Sequence, residues 1–183
     1  MKTDLSQFNN DWYSPGAGAI KRLLWFIVNG LFFRNPLNPV SGLKVALLKL
    51  FGAKMGKGIV IKPSVNIKNP WFLEVGDYAW IGEDVWIDNL QPVKLGAHSC
   101  LSQGALLLCG SHNYKKVAFD LIAQPITVEE GGWVGARATV TGGVTIGSHA
   151  VLAVNSVATS NLEPYTIYQG NPAIPKRNRT IAL

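Results

Sequence analysis

Three histidines are this chain's candidates for moving a proton, and their settings differ. His112 stands in LCGSHNYKKVAFDLIAQPIT, at the foot of a stretch that breaks an otherwise regular pattern. An imidazole with its ordinary pKa of about 6.5 can take the proton of a hydroxyl nucleophile near neutral pH, so His112 is a candidate general base. A loop histidine that merely bonds backbone is the alternative. His98 and His149 share one slot of the pattern, in LGAHSC and IGSHAV, where the side chain points outward at a corner into solvent. Cys100 and Cys109 lie in aliphatic segments and read as buried free thiols; two cysteines are too few for a disulfide framework, which suits a reducing compartment.

The pattern that His112 interrupts has a period of six. Aliphatic residues followed by a small residue or an acid recur as Val75-Gly76, Ile81-Gly82, Ile87-Asp88, Leu95-Gly96 and Leu101-Ser102, then as Val134-Gly135, Val140-Thr141, Ile146-Gly147 and Leu152-Ala153. Neither a strand, with period 2, nor a helix, with period 3.6, accounts for six; short strands joined by corners do. Three hexads close one triangular coil, and coils stack at the ~4.8 Å spacing of paired strands. The positions group as 55, 61, 67, then 75, 81, 87, then 95, 101, 107, then 128, 134, 140 and 146, 152, 158, which predicts five parallel coils over 55–163 with an excursion at about 110–126. A tail follows from 164 to 183.

Residues 1–54 read as a helical cap. Ile20, Leu23, Leu24, Ile27, Val28 and Leu31 keep helical spacing, Asn35-Pro36 and Asn38-Pro39 break the helix, and a second helix runs from Ser41 as N-cap to Phe51, with Gly52 closing it. Its predicted inner face carries Leu43, Ala46, Leu47, Leu50 and Phe51. Trp25, Phe26, Phe32 and Phe33 make the first helix apolar nearly all round, so one face covers the end of the prism while another is left for lipid or a neighbouring subunit.

At 48% hydrophobic and 15% charged residues, 183 residues make one globular domain with a sizeable core. MKTDLSQFNN lacks the layout of a signal peptide, and the apolar run from Leu23 to Phe33 is too short to span a bilayer. The expected location is therefore cytoplasmic, with peripheral contact at the inner face of the membrane through the first helix. A net charge of +6 suits anionic ligands or an anionic membrane surface, whereas no basic run interleaved with aromatics marks a nucleic-acid site.

The hexads, the excursion with GSHNY, the segment WVGARATVTGGVTIG and the closing GNPA together resemble the hexapeptide-repeat O-acetyltransferases that modify sugars, over nearly the whole chain. LLKLFGAKMGKGIVIKPSV and GDYAWIGEDVWIDN are most similar to the colanic acid biosynthesis acetyltransferases within that group. The resemblance implies an all-β repeat of the left-handed parallel β-helix type; parallel crossovers are otherwise right-handed, so periodicity does not supply the hand. It implies a homotrimer, acetyl-CoA as acetyl donor, no metal, and transfer to a sugar hydroxyl of an exopolysaccharide or cell-surface glycan precursor.

By the same resemblance His112 matches the catalytic base, and Trp133 matches a tryptophan bordering the acetyl-CoA site. Gly135 and Ala136 match a small segment lying along the pantetheine, whose backbone N–H would stabilise the oxyanion. Val154 and Thr159 fall at further cofactor contacts, and Lys176, Arg177 and Arg179 in AIPKRNR would pair with cofactor phosphates, unless the tail is simply solvated. Where the maltose and galactoside branch has an asparagine, this chain has Gly82. Asp84, Asp88 and Asn89 are the substrate-binding candidates, with surface solvation as the alternative for each. Carbonic anhydrases on this scaffold need three imidazoles around zinc, and the excursion offers His112 alone. A non-catalytic scaffold or membrane-associated assembly protein is the remaining alternative.

Overall fold

The computed structural model describes residues 2–182. Strands of two to three residues cycle through three parallel sheets, which are the walls of a triangular prism. Wall I stacks Lys54–Met55, Leu73–Val75, Val93–Leu95, Ile126–Val128 and Thr145–Ile146. Wall II stacks Val60–Ile61, Trp80–Ile81, Cys100–Leu101, Trp133–Val134 and Val151–Leu152, and wall III stacks Asn66–Ile67, Trp86–Asp88, Leu106–Leu108, Thr139–Thr141 and Val157–Ala158. The aliphatics of the hexads point inward: Ile61, Ile67, Ile81, Ile87, Leu107, Val128, Val134, Val140, Ile146 and Leu152 have no solvent exposure.

The solenoid runs one incomplete coil further than the hexads indicate. Leu162 bridges to Ile146 and Tyr168 pairs with Leu152, both buried. The step from Ala158 to Leu162 is four residues, so the register is lost to a six-residue count. Residues expected to be a tail instead place Thr166–Gly170 on wall II, with Ala173–Asn178 antiparallel beside it.

Two of the three corners repeat one backbone conformation. Tyr78, His98, His149 and Tyr165 sit at positive φ between walls I and II, where Tyr78 stacks on His98 and His149 on Tyr165. Ser64, Asp84, Arg137 and Asn155 do the same between walls II and III. Such left-handed turns favour small polar or glycine residues, and the columns let each coil turn without an insertion. The third corner, between walls III and I, holds the excursion.

At its open end the first coil has backbone groups with no neighbouring strand, and two helices satisfy them. Helix α1 (Ala19–Val28) continues into a π turn (Asn29–Phe33), and α2 spans Ser41–Leu50. Trp25 Nε1 donates 2.8 Å to the Ile67 carbonyl, and the Ser41 hydroxyl accepts from Ile61 N–H at 3.0 Å and donates to its carbonyl at 3.1 Å. Lys44 Nζ donates 2.7 Å to the Lys62 carbonyl. Ser41 is thus the first helical residue, after Val40 as N-cap, and its side chain serves the coil instead of capping the helix. The buried face of α2 is Lys44 and Leu48, continued by Phe51; of the predicted face Phe51 is buried and Leu47 half-buried, whereas Leu43, Ala46 and Leu50 are exposed. Trp25 and Phe33 are buried and pack ring to ring, so the expected capping face is theirs, while Phe26 is exposed and Phe32 half-buried.

Trp25→Phe keeps the ring but orphans the Ile67 carbonyl, which costs about 1–3 kcal/mol. An unfolding free energy lowered by that amount, read as a lower chemical denaturation midpoint with an unchanged slope, is the expected result; an unchanged midpoint would remove the bond from the account of the cap.

Candidate active site

The excursion leaves wall III after Cys109 as a short hairpin, Gly110–His112 paired antiparallel with Leu121–Ala123. His112 lies opposite Leu121, and its Nδ1 is 2.9 Å from the Phe119 carbonyl. A carbonyl only accepts, so Nδ1 carries the proton and Nε2 is left with its lone pair. Phe119 is held at φ 54°, a left-handed turn that aims its carbonyl back at the ring, and its own ring stacks on the imidazole with centroids 4.5 Å apart and planes 9° apart. Phe8 closes the other side at 5.8 Å.

His112 opens onto a pocket of about 440 Å³ shared by three parts of the chain. The prism contributes Lys68 and Asp88, ion-paired at 2.8 Å, and the N-terminal segment contributes Phe8, Asn10 and Tyr13. That segment is tied at both ends: Asp4 N–H donates to the Val117 carbonyl of the excursion at 2.9 Å, and Trp71 Nε1 donates to the Pro15 carbonyl at 2.7 Å. The Tyr13 hydroxyl is buried beside the Asn69 side chain without a well-formed hydrogen bond, and burial raises its pKa, with Asn69 opposing and Asp88 adding to the shift. Nothing in the spacing of the hexads points to residues 8–13.

Of the substrate candidates, Asp88 alone lines this pocket. Asn89 is fully buried and spent on its neighbour: its side chain accepts from Asn69 N–H at 2.9 Å and donates to the Asn69 carbonyl at 2.6 Å, while Asn69 Nδ2 donates to the Asn89 carbonyl at 3.0 Å. This ladder fixes the corner that carries Lys68 and Asp88. Asp84 stands on the corner between walls II and III, away from the pocket, where the left-handed turn explains its residue type. At Gly82 a β-carbon would lie 2.9 Å from the Leu101 carbonyl, so an asparagine does not fit there without moving the next coil.

The cofactor candidates gather on and beside wall II. Trp133 is 42% exposed on its outer face, with Nε1 donating 2.9 Å to Ser102 Oγ. A β-carbon at Gly135 would meet the Leu152 carbonyl and Val154 N at 2.7 Å, so coil stacking already demands glycine there; its N–H donates to the Leu152 carbonyl at 2.8 Å and is not free for an oxyanion. Ala136 is half-buried beside it, and Val154 and Thr159 are exposed. Lys176 and Arg177 are exposed and in no ion pair among the described residues. Arg179 is committed, with Nη1 on the Gly131 and His149 carbonyls at 3.1 and 3.0 Å. Burial pushes the Cys109 thiol up to about 11 and raises that of Cys100, so neither is a ready nucleophile. Among the described residues no group of acids, histidines and cysteines could hold a metal.

Solved hexapeptide-repeat acetyltransferases share this parallel β-solenoid fold. A hexapeptide-repeat acetyltransferase of Vibrio cholerae complexed with acetyl-coenzyme A superposes with a TM-score of 0.79 at 24% identity, over 91% of this chain and 92% of that one. A galactoside acetyltransferase in complex with coenzyme A gives 0.75 at 22%, over 88% and 82%. No family model matches the chain. The colanic acid biosynthesis acetyltransferase WcaF of Escherichia coli is 40% identical over 176 residues, 96% of this chain and 97% of that protein. The chain belongs to the colanic acid biosynthesis acetyltransferase family, and it is an enzyme, an acetyltransferase.

Asn89→Ala leaves two polar groups of Asn69, its N–H and its carbonyl, unpaired in a buried corner, each worth about 1–3 kcal/mol, while Asn69 Nδ2 keeps the backbone carbonyl of residue 89. Thermal unfolding should shift down by many degrees; a protein of wild-type stability that has lost only acceptor affinity would return Asn89 to the substrate.

Proposed function

We propose that the enzyme transfers an acetyl group from acetyl-CoA to a hydroxyl of a sugar in an exopolysaccharide or cell-surface glycan precursor, with His112 as general base. The observation that carries this reading is the Nδ1–H bond to the Phe119 carbonyl, which leaves Nε2 as the proton acceptor of a side chain that lines the pocket. Acetyl-CoA supplies the activated acyl carbon. Nε2 takes the proton of the attacking hydroxyl, and the resulting imidazolium returns it to the departing thiolate. Asp88, held by Lys68, and the unpartnered Tyr13 hydroxyl bind sugar hydroxyls, which offer both donors and acceptors. Lys176 and Arg177 hold cofactor phosphates.

The order of the walls supports a homotrimer. His112 leaves the corner between walls III and I, which faces away from wall II, where Trp133, Val154 and the basic strand stand. A complete site therefore draws His112 from one protomer and wall II from a neighbour, as closed cyclic packing of three prisms provides.

His112→Ala should retain the fold and coenzyme A binding while turnover falls about 10²–10⁴-fold, and wild-type kcat/KM should rise with pH as the imidazole loses its proton. Co-refolding His112→Ala chains with inactive Trp133→Ala chains should regenerate activity absent from either parent. Turnover within threefold of wild type would end the role of His112, and verified mixed trimers without activity would end the shared site.

Tyr13→Phe removes a hydroxyl that makes no well-formed hydrogen bond in the free enzyme. Unfolding temperature should stay unchanged, while kcat/KM for the acceptor falls about tenfold with the donor KM unaltered. An equal loss for both substrates would place Tyr13 outside the acceptor site.

A further inference from the structure

The side of α1 that faces away from the prism is apolar and uncovered. Ile20, Leu23, Leu24 and Ile27, at helical spacing, are 47–78% exposed, and Leu31 and Phe26 extend the patch at 60% and 70%. The opposite side, with Trp25 and Asn29, is bonded to the first coil, so the uncovered side lies at the extreme end of the prism. No described helix is long and apolar enough to cross a membrane, and an exposed apolar stripe of this width calls for an occupant.

Charge decides which occupant. From residue 12 to residue 73, through the cap and the first coil, the chain has nine lysines and arginines and no acid, whereas the remaining residues hold eight basic and eleven acidic side chains. Arg34 and Lys49 are exposed on that end, whereas Arg22 shares the side of α1 that carries Trp25 and Asn29 and lines a hollow there with Arg34, Lys68 and Asp88. A second copy meeting this face through its own like face would bring two strongly cationic ends together. An anionic bilayer matches both features at once, with apolar side chains at the acyl boundary and guanidinium and ammonium groups among lipid phosphates.

We propose that α1 docks the enzyme end-on against an anionic lipid surface, with Ile20, Leu23, Leu24 and Ile27 entering the headgroup boundary and Arg34 and Lys49 on phosphate. Capping and docking are then two faces of one helix. The end-on attitude leaves the three walls clear of the bilayer.

The test is co-sedimentation of the full chain with vesicles of phosphatidylglycerol and phosphatidylcholine, against vesicles of phosphatidylcholine alone. Wild-type protein should sediment with the mixed vesicles, at least about tenfold more than with the neutral ones, and salt should release it. Leu24→Ser with Ile27→Ser should lower binding about tenfold while circular dichroism and turnover of a soluble acceptor stay as in wild type; Arg34→Gln with Lys49→Gln should flatten the salt dependence. Wild-type protein that stays in the supernatant with anionic vesicles at low salt, or that binds both vesicle types alike, overturns the proposal without reference to any variant. A double serine variant that binds vesicles as wild type does overturns it as well. So does one whose assembly mass in light scattering drops, since that would give the face to a second copy.

Discussion

Every backbone group in a stacked coil is satisfied by the coil above or below, so the structure depends on what happens where the stack stops. The first coil offers the Ile61 and Lys62 carbonyls, the Ile61 N–H and the Ile67 carbonyl to nothing of its own kind, and a row of such groups invites pairing with another chain. Trp25, Ser41 and Lys44 answer them from two helices. The choice of Lys44 is costly, since its ammonium is wholly buried with a carbonyl for company, and burial pulls its pKa below the ordinary lysine range. A hydroxyl, an indole and an ammonium share little chemistry beyond the ability to donate. At the other end, Leu162 and the hairpin 166–178 extend walls I and II by the same logic.

With both ends closed, the prism is stiff on two of its edges and free on the third. The two regular corners are columns of left-handed turns, and in the column between walls I and II rings of adjacent coils stack as the pairs Tyr78–His98 and His149–Tyr165. An insertion in either column would disturb its neighbours. The third corner already varies in length from coil to coil, and there the chain can leave the stack, make a hairpin and return. Catalytic geometry is placed where the repeat tolerates departure, then rigidified locally: a stacked phenyl ring, a backbone carbonyl and a strapped N-terminal segment hold one imidazole.

Much of this was legible from residue order alone. An aliphatic every sixth residue determines the coils because no other secondary structure has that period, and the one long break in it draws attention to His112. What was not legible shares a cause: it depends on which residues become neighbours across coils. Asn89 reads as a surface polar group near the acceptor until the coil below brings Asn69 against it. Gly135 reads as room for a ligand until the next coil's backbone is found to fill that room. Phe8, Asn10 and Tyr13 precede the repeat by some forty residues and carry no periodic mark, and the four-residue step to Leu162 hides the last coil. On α1 the helical stripe was visible, but an apolar stripe does not say which way it faces; Trp25, off that stripe, turned out to anchor the helix.

Repetition also makes the molecule a ruler. The excursion with His112 leaves from the third coil above the helical cap, and each coil adds one strand spacing of about 4.8 Å along the axis. The height of the imidazole above the capped end is therefore quantised: relatives with one coil more or fewer below the break would carry it about 5 Å higher or lower, while the corner columns, the core register and the hairpin itself stay as they are. A protein of this kind can adjust the reach of its chemistry without redesigning it.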